Sequence, residues 1–173
     1  MGCAIDAQHR PHAAMDDANL LSVFFGTLPD WERVLRVVAR LAAALLLGAI
    51  IGVQRELMGK PAGLRTHALV TLAAAIFALG PIEAGMQLAD LSRVIQGIAT
   101  GIGFIGAGVI LKRHAEGEVI GLTTAATIWT ATAIGVAVGL GHVLLAGIGV
   151  ALTWLVLAGF ARVDQWLGGR RVQ

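Results

Sequence analysis

The chain is organised around the stretch Gln54-Arg55-Glu56-Leu57-Met58-Gly59-Lys60-Pro61-Ala62-Gly63-Leu64-Arg65-Thr66-His67, which holds three basic residues, one acid and one histidine. A long apolar run lies on each side of it. Pro61 has a fixed φ and no backbone N–H, and Gly63 tolerates a positive φ, so a continuous helix is disfavoured here. The stretch therefore predicts a short charged loop between two membrane helices.

The composition of the whole chain is typical of a membrane protein. Of 173 residues, 57% are hydrophobic and 14% are charged, and the mean hydropathy is +0.78. Soluble domains carry about 25% charged residues, so this composition favours a polytopic membrane protein. The net charge of +2 is small and gives nucleic-acid binding no support. Cys3 is the single cysteine, so no intrachain disulfide or cysteine-based metal cluster is expected, and no cofactor is predicted.

The apolar runs predict an all-α fold with five transmembrane helices, near residues 34–53, 66–80, 94–111, 122–138 and 143–161. Three regions follow along the chain: a poorly ordered N-terminal tail over residues 1–30, a transmembrane domain over 31–167 and a cytoplasmic C-terminal tail over 168–173. The residues Asp90, Ser92 and Arg93 mark the start of the third helix, with Asp90 or Ser92 as the expected N-cap.

Basic residues set the expected orientation in the membrane. One side holds eight Lys and Arg residues, in the two basic loops and the C-terminus: Arg55, Lys60, Arg65, Lys112, Arg113, Arg162, Arg170 and Arg171. The other side holds five: Arg10, Arg33, Arg36, Arg40 and Arg93. The positive-inside rule therefore predicts that the basic loops and the C-terminus are cytoplasmic and that the N-terminus is outside.

Small residues recur at helical spacing in two of the predicted helices. In the first helix, Ala44, Gly48 and Gly52 form a small-xxx-small series, which allows close approach of another backbone. The third helix is denser in glycine, with Gly97, Gly101, Gly103, Gly106 and Gly108. We expect both series to pack against membrane helices, although a locally broken third helix lining a cavity is an alternative. The letters GIGFIG over residues 101–106 match a dinucleotide fingerprint, but Ala126 stands where that motif needs an acid.

The fourth predicted helix carries a threonine face. Thr123, Thr127 and Thr130 share one side at i, i+4 and i+7 spacing. Threonine hydroxyls in membrane helices commonly bond their own backbone or a neighbouring helix, and each bond contributes about 0.6 kcal/mol. The alternative interpretation is a polar pathway for an ion.

Six motifs, taken in chain order, resemble those of the MgtC/SapB family of bacterial membrane proteins. They are Arg40-Leu41, Gly52-x2-Arg55-Glu56, the run from Lys60 to His67, Asp90-x-Ser92-Arg93, the run from Gly101 to Gly108, and the run from Gly121 to Ala126. The run from Lys60 to His67 is the most specific of them. The family usually has Glu where Gln54 stands, so one carboxylate of its loop is missing here. Longer members carry a C-terminal ACT-like domain, for which the residues up to Gln173 are too few.

This resemblance implies a multi-pass protein of the bacterial inner membrane that acts in magnesium homeostasis. Family members serve adaptation to low magnesium and, in pathogens, virulence through survival inside macrophages. Some have been named magnesium transporters, but the family is better described as acting on other membrane proteins, including the proton-translocating ATP synthase. The implied partners are the lipid bilayer, another integral membrane protein and a second copy of the chain.

The residues that we expect to carry function lie in the central loop: Arg55, Glu56, Lys60, Pro61, Gly63, Arg65 and His67. We predict that Arg65 or Arg55 pairs with Glu56, because an unpaired carboxylate at the hydrocarbon boundary is costly. The alternative hypothesis is that the three bases are only positive-inside anchors.

Two classes of function are compatible with the sequence, a regulatory membrane protein and an ion transporter or channel. Mg²⁺ prefers oxygen ligands, commonly with one or two carboxylates among them. Glu56 and Glu83 lie at opposite ends of the second predicted helix, so no acid is expected at mid-membrane depth. Magnesium transport is therefore the alternative, with Glu56 as its candidate metal ligand, brought together with a second Glu56 in a dimer. An enzyme is not predicted, since His67 and His114 have no serine or cysteine nucleophile nearby.

Overall fold

The computed structural model describes residues 30–112 and 119–168, and it describes side chains for residues 30–87, 89–110 and 119–160. The chain divides into two compact units, Met1–Val34 and Leu35–Gln173. Of the first unit only residues 30–34 are described, and residues 31–34 are helical. The predicted tails over residues 1–29 and 169–173, together with Arg113 and His114, lie outside the described residues.

The described chain forms five helices and one very short hairpin. In order, the elements are α1 (Trp31–Leu57), α2 (Leu64–Glu83), α3 (Leu88–Val109), β1 (Leu111–Lys112), β2 (Val119–Ile120), α4 (Leu122–Gly139) and α5 (Val143–Gly168). The two strands pair antiparallel, with Leu111 opposite Ile120. This helical architecture confirms the predicted all-α class.

The central helix of the larger unit is α4, which packs against α2, α3 and α5. The helix α2 runs parallel to α4, because His67 contacts Thr127 near the start of both helices and Ala75 lies against Gly139 further along. The helix α1 packs against both α2 and α4 and runs antiparallel to α2, because Gly48 lies against Thr71 and Gly52 lies against Leu64. Thr71 of α2 is fully buried between the two neighbouring helices.

Glycines on α1 and α4 permit this close contact. A Cβ on Gly48 of α1 or on Gly135 of α4 would collide with Thr71. A Cβ on Gly52 would lie 2.6 Å from the Cα of Leu64, and one on Gly139 would lie 2.7 Å from the carbonyl oxygen of Ala75. The predicted packing through Gly48 and Gly52 is therefore confirmed, and Gly135 and Gly139 add a second pair at the same four-residue spacing.

The glycine series of α3 does not pack in this way. A Cβ added at Gly97, Gly101, Gly103 or Gly108 would have no atom within 4 Å, and one at Gly106 would meet Ala125 Cβ at 3.8 Å. Among the described residues of one chain these glycines therefore make no close contact, and packing through them against another chain stays a prediction. The helix instead packs through larger residues such as Ile102, which is buried with Ala62 and Ile128. It is also continuous, so the alternative of a broken helix is not observed.

Several helix boundaries differ from the predicted ones. The helix α1 continues to Leu57, so Arg55 and Glu56 are helical and only residues 58–63 form the connection to α2. Between Gln54 and Gly59 the chain contains no glycine or proline. Gly59 then adopts a φ of 62°. The helix α2 extends through Pro81 to Glu83, because a proline in the last turn removes only one hydrogen bond.

The start of α3 also corrects a prediction. The helix begins at Leu88 with Gln87 as its N-cap, so Asp90 lies in the first turn. Ser92 donates its hydroxyl proton to Ala89 O at 2.9 Å, a contact within the helix. The expectation that Asp90 or Ser92 is the N-cap is therefore wrong, and Arg93 is an exposed helical residue.

Four helices in the described part of the chain are long and apolar enough to cross a membrane. They are Trp31–Leu57, Leu64–Glu83, Leu122–Gly139 and the segment Val143–Phe160. The helix α3 is not among them; Arg93, Gln96 and its five glycines lower its hydropathy. The structure therefore gives four candidate spans where the sequence predicts five.

Candidate functional site

Arg55 is a buried cation near the end of α1. Its side chain is 4% exposed, and Nη2 donates a hydrogen bond to Thr124 Oγ1 of α4 at 2.9 Å. Within the described residues, neither the buried Nε of Arg55 nor the buried Oε1 of Gln54 has a hydrogen-bond partner. Among the described residues no carboxylate forms an ion pair with Arg55. The only partner of this guanidinium in the described part of the chain is thus a neutral hydroxyl.

A chain of hydrogen bonds continues from Thr124 into the core. The hydroxyl of Thr127 lies 2.8 Å from Thr124 O and 3.2 Å from Nε2 of His67, and its single proton is donated to one of these two acceptors at a time. The other ring nitrogen of His67, Nδ1, lies 2.9 Å from Gly63 O. A carbonyl oxygen only accepts, so we assign the ring proton to Nδ1. The polar cluster of Arg55, Thr124, Thr127 and His67 therefore joins α1, α2 and α4.

Glu56 has a different role from the predicted one. Its Oε2 accepts a hydrogen bond from the backbone N–H of Leu64 at 2.9 Å, at the first residue of α2. Within the described residues it forms no ion pair with Arg55 or Arg65, so the predicted pairing is wrong. A free helix N-terminus offers unpaired N–H groups and a favourable dipole to a carboxylate. Gly63 leaves room for this contact, because a Cβ there would collide with Glu56 Oε2.

A cavity of about 730 Å³ lies beside Arg55. Its walls come from the α1–α2 connection, the end of α3, the hairpin and the first residues of α4. The polar residues lining it are Arg55, Lys60, Thr66, Thr123 and Thr124. Of the predicted loop residues, Pro61 also lines the cavity, whereas Arg65 does not. The cavity therefore brings together bases and hydroxyls without a carboxylate among its described lining residues.

The residues of the predicted threonine face differ in their exposure. Thr127 is buried, whereas Thr123 is exposed. Thr130 donates to Ala126 O at 2.9 Å. All three line a groove of about 290 Å³ between α4 and α5. The structure thus supports the interpretation that Thr127 and Thr130 bond their own backbone.

Other predicted residues lie away from the cluster. Asp90, Ser92 and Arg93 are exposed near the start of α3, beyond the opposite end of α2 from His67. Among the described residues no group of three or more His, Cys, Asp or Glu side chains is arranged to hold a metal ion. Glu56 as a metal ligand therefore stays a prediction that depends on a second copy of the chain.

Thr71, Thr124 and Thr132 are buried polar residues that the predicted threonine face does not include. Thr124 precedes Thr127 by three residues, so helical spacing places both on one face. Its hydrogen bond with Arg55 cannot be predicted from a local sequence pattern, since 69 residues separate the two. Thr71 donates to His67 O at 2.7 Å, the same backbone bonding seen on α4.

Comparison with known proteins identifies the family. The model of the MgtC family matches residues 41–166. The chain belongs to the MgtC family. Its resemblance to the MgtC/SapB motifs is thereby confirmed, and the four long apolar helices of the described residues agree with a multi-pass membrane protein.

Individual family members show how much of each protein is shared. SrpB of Synechococcus elongatus is 42% identical over 160 residues, which cover 85% of this chain and 86% of SrpB. MgtC of Salmonella typhimurium is 47% identical over 106 residues, covering 61% of this chain and 44% of that protein. A protein of Escherichia coli named "Putative magnesium transporter YhiD" is 40% identical over 131 residues, which cover 72% of this chain and 60% of that protein. The chain thus spans less than two thirds of these last two relatives. No solved structure matches it.

Proposed function

We propose that this MgtC-family protein supports adaptation to low magnesium by binding and regulating other integral membrane proteins, the ATP synthase among them. In this proposal it does not carry Mg²⁺ itself. The observation that supports it is the buried guanidinium of Arg55, which has no carboxylate partner among the described residues. A guanidinium has donors only and coordinates no cation, so the described chain offers Mg²⁺ no anionic ligand at the junction of α1, α2 and α4.

The positions of the acidic residues support the same conclusion. Between Trp31 and Phe160 the acids are Glu32, Glu56, Glu83, Asp90, Glu116 and Glu118. The four that the structure describes, Glu32, Glu56, Glu83 and Asp90, each lie near a helix end. A Mg²⁺ pathway needs hard oxygen ligands that replace part of the hydration shell. Threonine hydroxyls that already donate to their own backbone offer only neutral oxygens for that purpose.

Transport of Mg²⁺ or another ion is the second candidate function. It is favoured by the groove along Thr123, Thr127 and Thr130 and by the name of the E. coli relative, which describes that protein as a magnesium transporter. A transporter would use this groove as a polar pathway. The groove, however, is also lined by Leu152, Val156 and Leu157, and these side chains coordinate no cation.

The proposal includes a multi-pass topology in a bacterial inner membrane, with five crossings, the N-terminus outside and the C-terminus in the cytoplasm. The helix α3 has 22 residues and is therefore about 33 Å long, against a hydrocarbon core of about 30 Å. With α3 as a span, the Lys60 connection and the hairpin share the cytoplasmic side. The positive-inside rule favours that arrangement.

A cysteine-labelling experiment tests the topology. Met58 and Met86 are both exposed and lie in the connections at opposite ends of α2. In a Cys3→Ser background, we expect Met86→Cys to react with a membrane-impermeant maleimide from outside the cell and Met58→Cys to react only after the membrane is permeabilised. Labelling of Met58→Cys in intact cells would contradict the orientation. Ala62 is unsuitable as a probe because it is 4% exposed.

Proton pumping in inverted membrane vesicles tests the action on a partner. At equal ATP synthase content, we expect vesicles that contain this protein to show a lower initial rate of ATP-driven proton pumping than vesicles without it. NADH-driven pumping bypasses the ATP synthase and is the internal control, so it should not change. Equal ATP-driven rates, in a strain whose growth at low magnesium depends on the protein, would exclude the ATP synthase as the partner.

A further inference from the structure

Arg55 is the starting point for a binding site beyond the proposed regulatory function. Its guanidinium has five N–H donors and stays protonated, yet Arg55 is 4% exposed and its Nε has no partner in the part of the chain that the structure describes. The one described contact is the bond from Nη2 to Thr124 Oγ1. A buried charge without a counter-charge is strongly unfavourable. An anion from outside the described chain would remove that penalty.

The cavity beside Arg55 has two further sources of positive potential. Lys60 lines it with an exposed side chain. The first residues of α4, from Gly121 to Thr124, form part of its wall. Gly121 is the N-cap of α4 and has no side chain to bond the first N–H groups. Those free N–H groups and the helix dipole favour a negative charge at this position.

We propose that this cavity binds a phosphate group through Arg55, Lys60 and the N-terminus of α4. The planar guanidinium fork matches phosphate oxygens, and a helix N-terminus is a common phosphate site. A volume of about 730 Å³ accommodates the phosphate together with an attached group. The phosphate belongs either to a phospholipid headgroup or to a soluble phosphate. Binding does not depend on the proposed action on a partner protein.

Thermal unfolding of the purified full chain in a neutral detergent tests this site with two probes. The first is sodium phosphate against sodium chloride at equal ionic strength, and the second is phosphatidylglycerol against diacylglycerol, which lacks the phosphate, in mixed micelles. We expect a saturable rise in the apparent Tm with at least one phosphate probe. A rise with phosphatidylglycerol alone identifies a lipid headgroup, and a rise with sodium phosphate identifies a soluble ligand.

Three variants test whether the rise in the apparent Tm comes from binding in the cavity. Lys60→Gln should need about tenfold more ligand for the same rise, since one charge-assisted hydrogen bond is lost. Arg65→Gln is the matched control, because Arg65 is an exposed base of the same stretch that does not line the cavity, and it should behave as the wild type. Arg55→Met should abolish the saturable rise.

The proposal is overturned if neither probe gives a saturable rise in the wild type. It is also overturned if Arg65→Gln weakens the response as much as Lys60→Gln, since the effect would then be general charge screening, or if Arg55→Met retains the wild-type response. Should Arg55→Met fail to fold, the comparison of Lys60→Gln with Arg65→Gln decides by itself.

Discussion

Replacing Gly135 by alanine is expected to destabilise the protein by about 3 kcal/mol, the upper end of the cost of overpacking a close-packed interface. The added Cβ would collide with the carbonyl oxygen of Thr71 and would lie 2.8 Å from Ala74 Cβ. The first of these atoms belongs to the backbone of α2 and cannot rotate away. The α2–α4 interface must therefore separate, and the buried hydrogen bonds beside it are strained.

Gly147→Ala in α5 is the matched control for this prediction. A Cβ there would have no atom within 4 Å, and alanine is intrinsically favoured over glycine in a helix by about 1 kcal/mol. We expect the apparent Tm in detergent to fall for Gly135→Ala and to stay equal or rise for Gly147→Ala. Equal melting temperatures for Gly135→Ala and the wild type would show that α2 and α4 are not packed through this glycine.

The substitution His67→Leu is expected to lower the free energy of unfolding by about 2 kcal/mol. A buried polar group that loses its hydrogen-bond partner costs an amount in this range. The fully buried His67 ring donates to Gly63 O through Nδ1, and its Nε2 is an acceptor for the hydroxyl of Thr127 at 3.2 Å. Leucine has a similar volume but no polar atom, so both contacts disappear. Gly63 O keeps the bond from the backbone N–H of His67 at 3.2 Å, which limits the loss.

His142→Leu is the corresponding control. His142 is exposed in the turn between α4 and α5, and surface substitutions usually change stability by less than about 0.5 kcal/mol. The apparent Tm should therefore fall for His67→Leu and hardly change for His142→Leu. A wild-type melting temperature for His67→Leu would mean that the polar cluster does not stabilise the junction of the three helices.

Apolar periodicity predicts α4 closely, because both of its ends are marked by glycine and its hydrophobic run has no charge. The predicted limits 122–138 differ by one residue from the observed Leu122–Gly139. The first two helices extend further than predicted, since the charged residues after Gln54 do not prevent a helix. The charges of Arg55 and Glu56 indicate where the apolar segment ends, but they do not end the helix. The helix α1 ends just before Gly59, which adopts a positive φ.

The site is harder to predict than the helices. Bases near the end of a membrane helix are usually anchors at the headgroups, and nothing in the sequence shows that Arg55 turns inward to Thr124. Glycine spacing likewise shows that a helix has a face for close approach but not whether another helix lies against it. Gly48 and Gly52 pack within the chain, and Gly97 and Gly101, at the same spacing, have no neighbour within 4 Å.

The central claim, that the protein does not carry Mg²⁺, is tested most directly by Mg²⁺ flux into liposomes. The purified protein is reconstituted at known density, a Mg²⁺ indicator is enclosed, and a Mg²⁺ gradient is imposed with and without a membrane potential. We predict the same rate of Mg²⁺ entry as in protein-free liposomes, while an added ionophore produces rapid entry in both. A rate that rises with protein density and saturates with Mg²⁺ concentration would contradict the claim and establish transport.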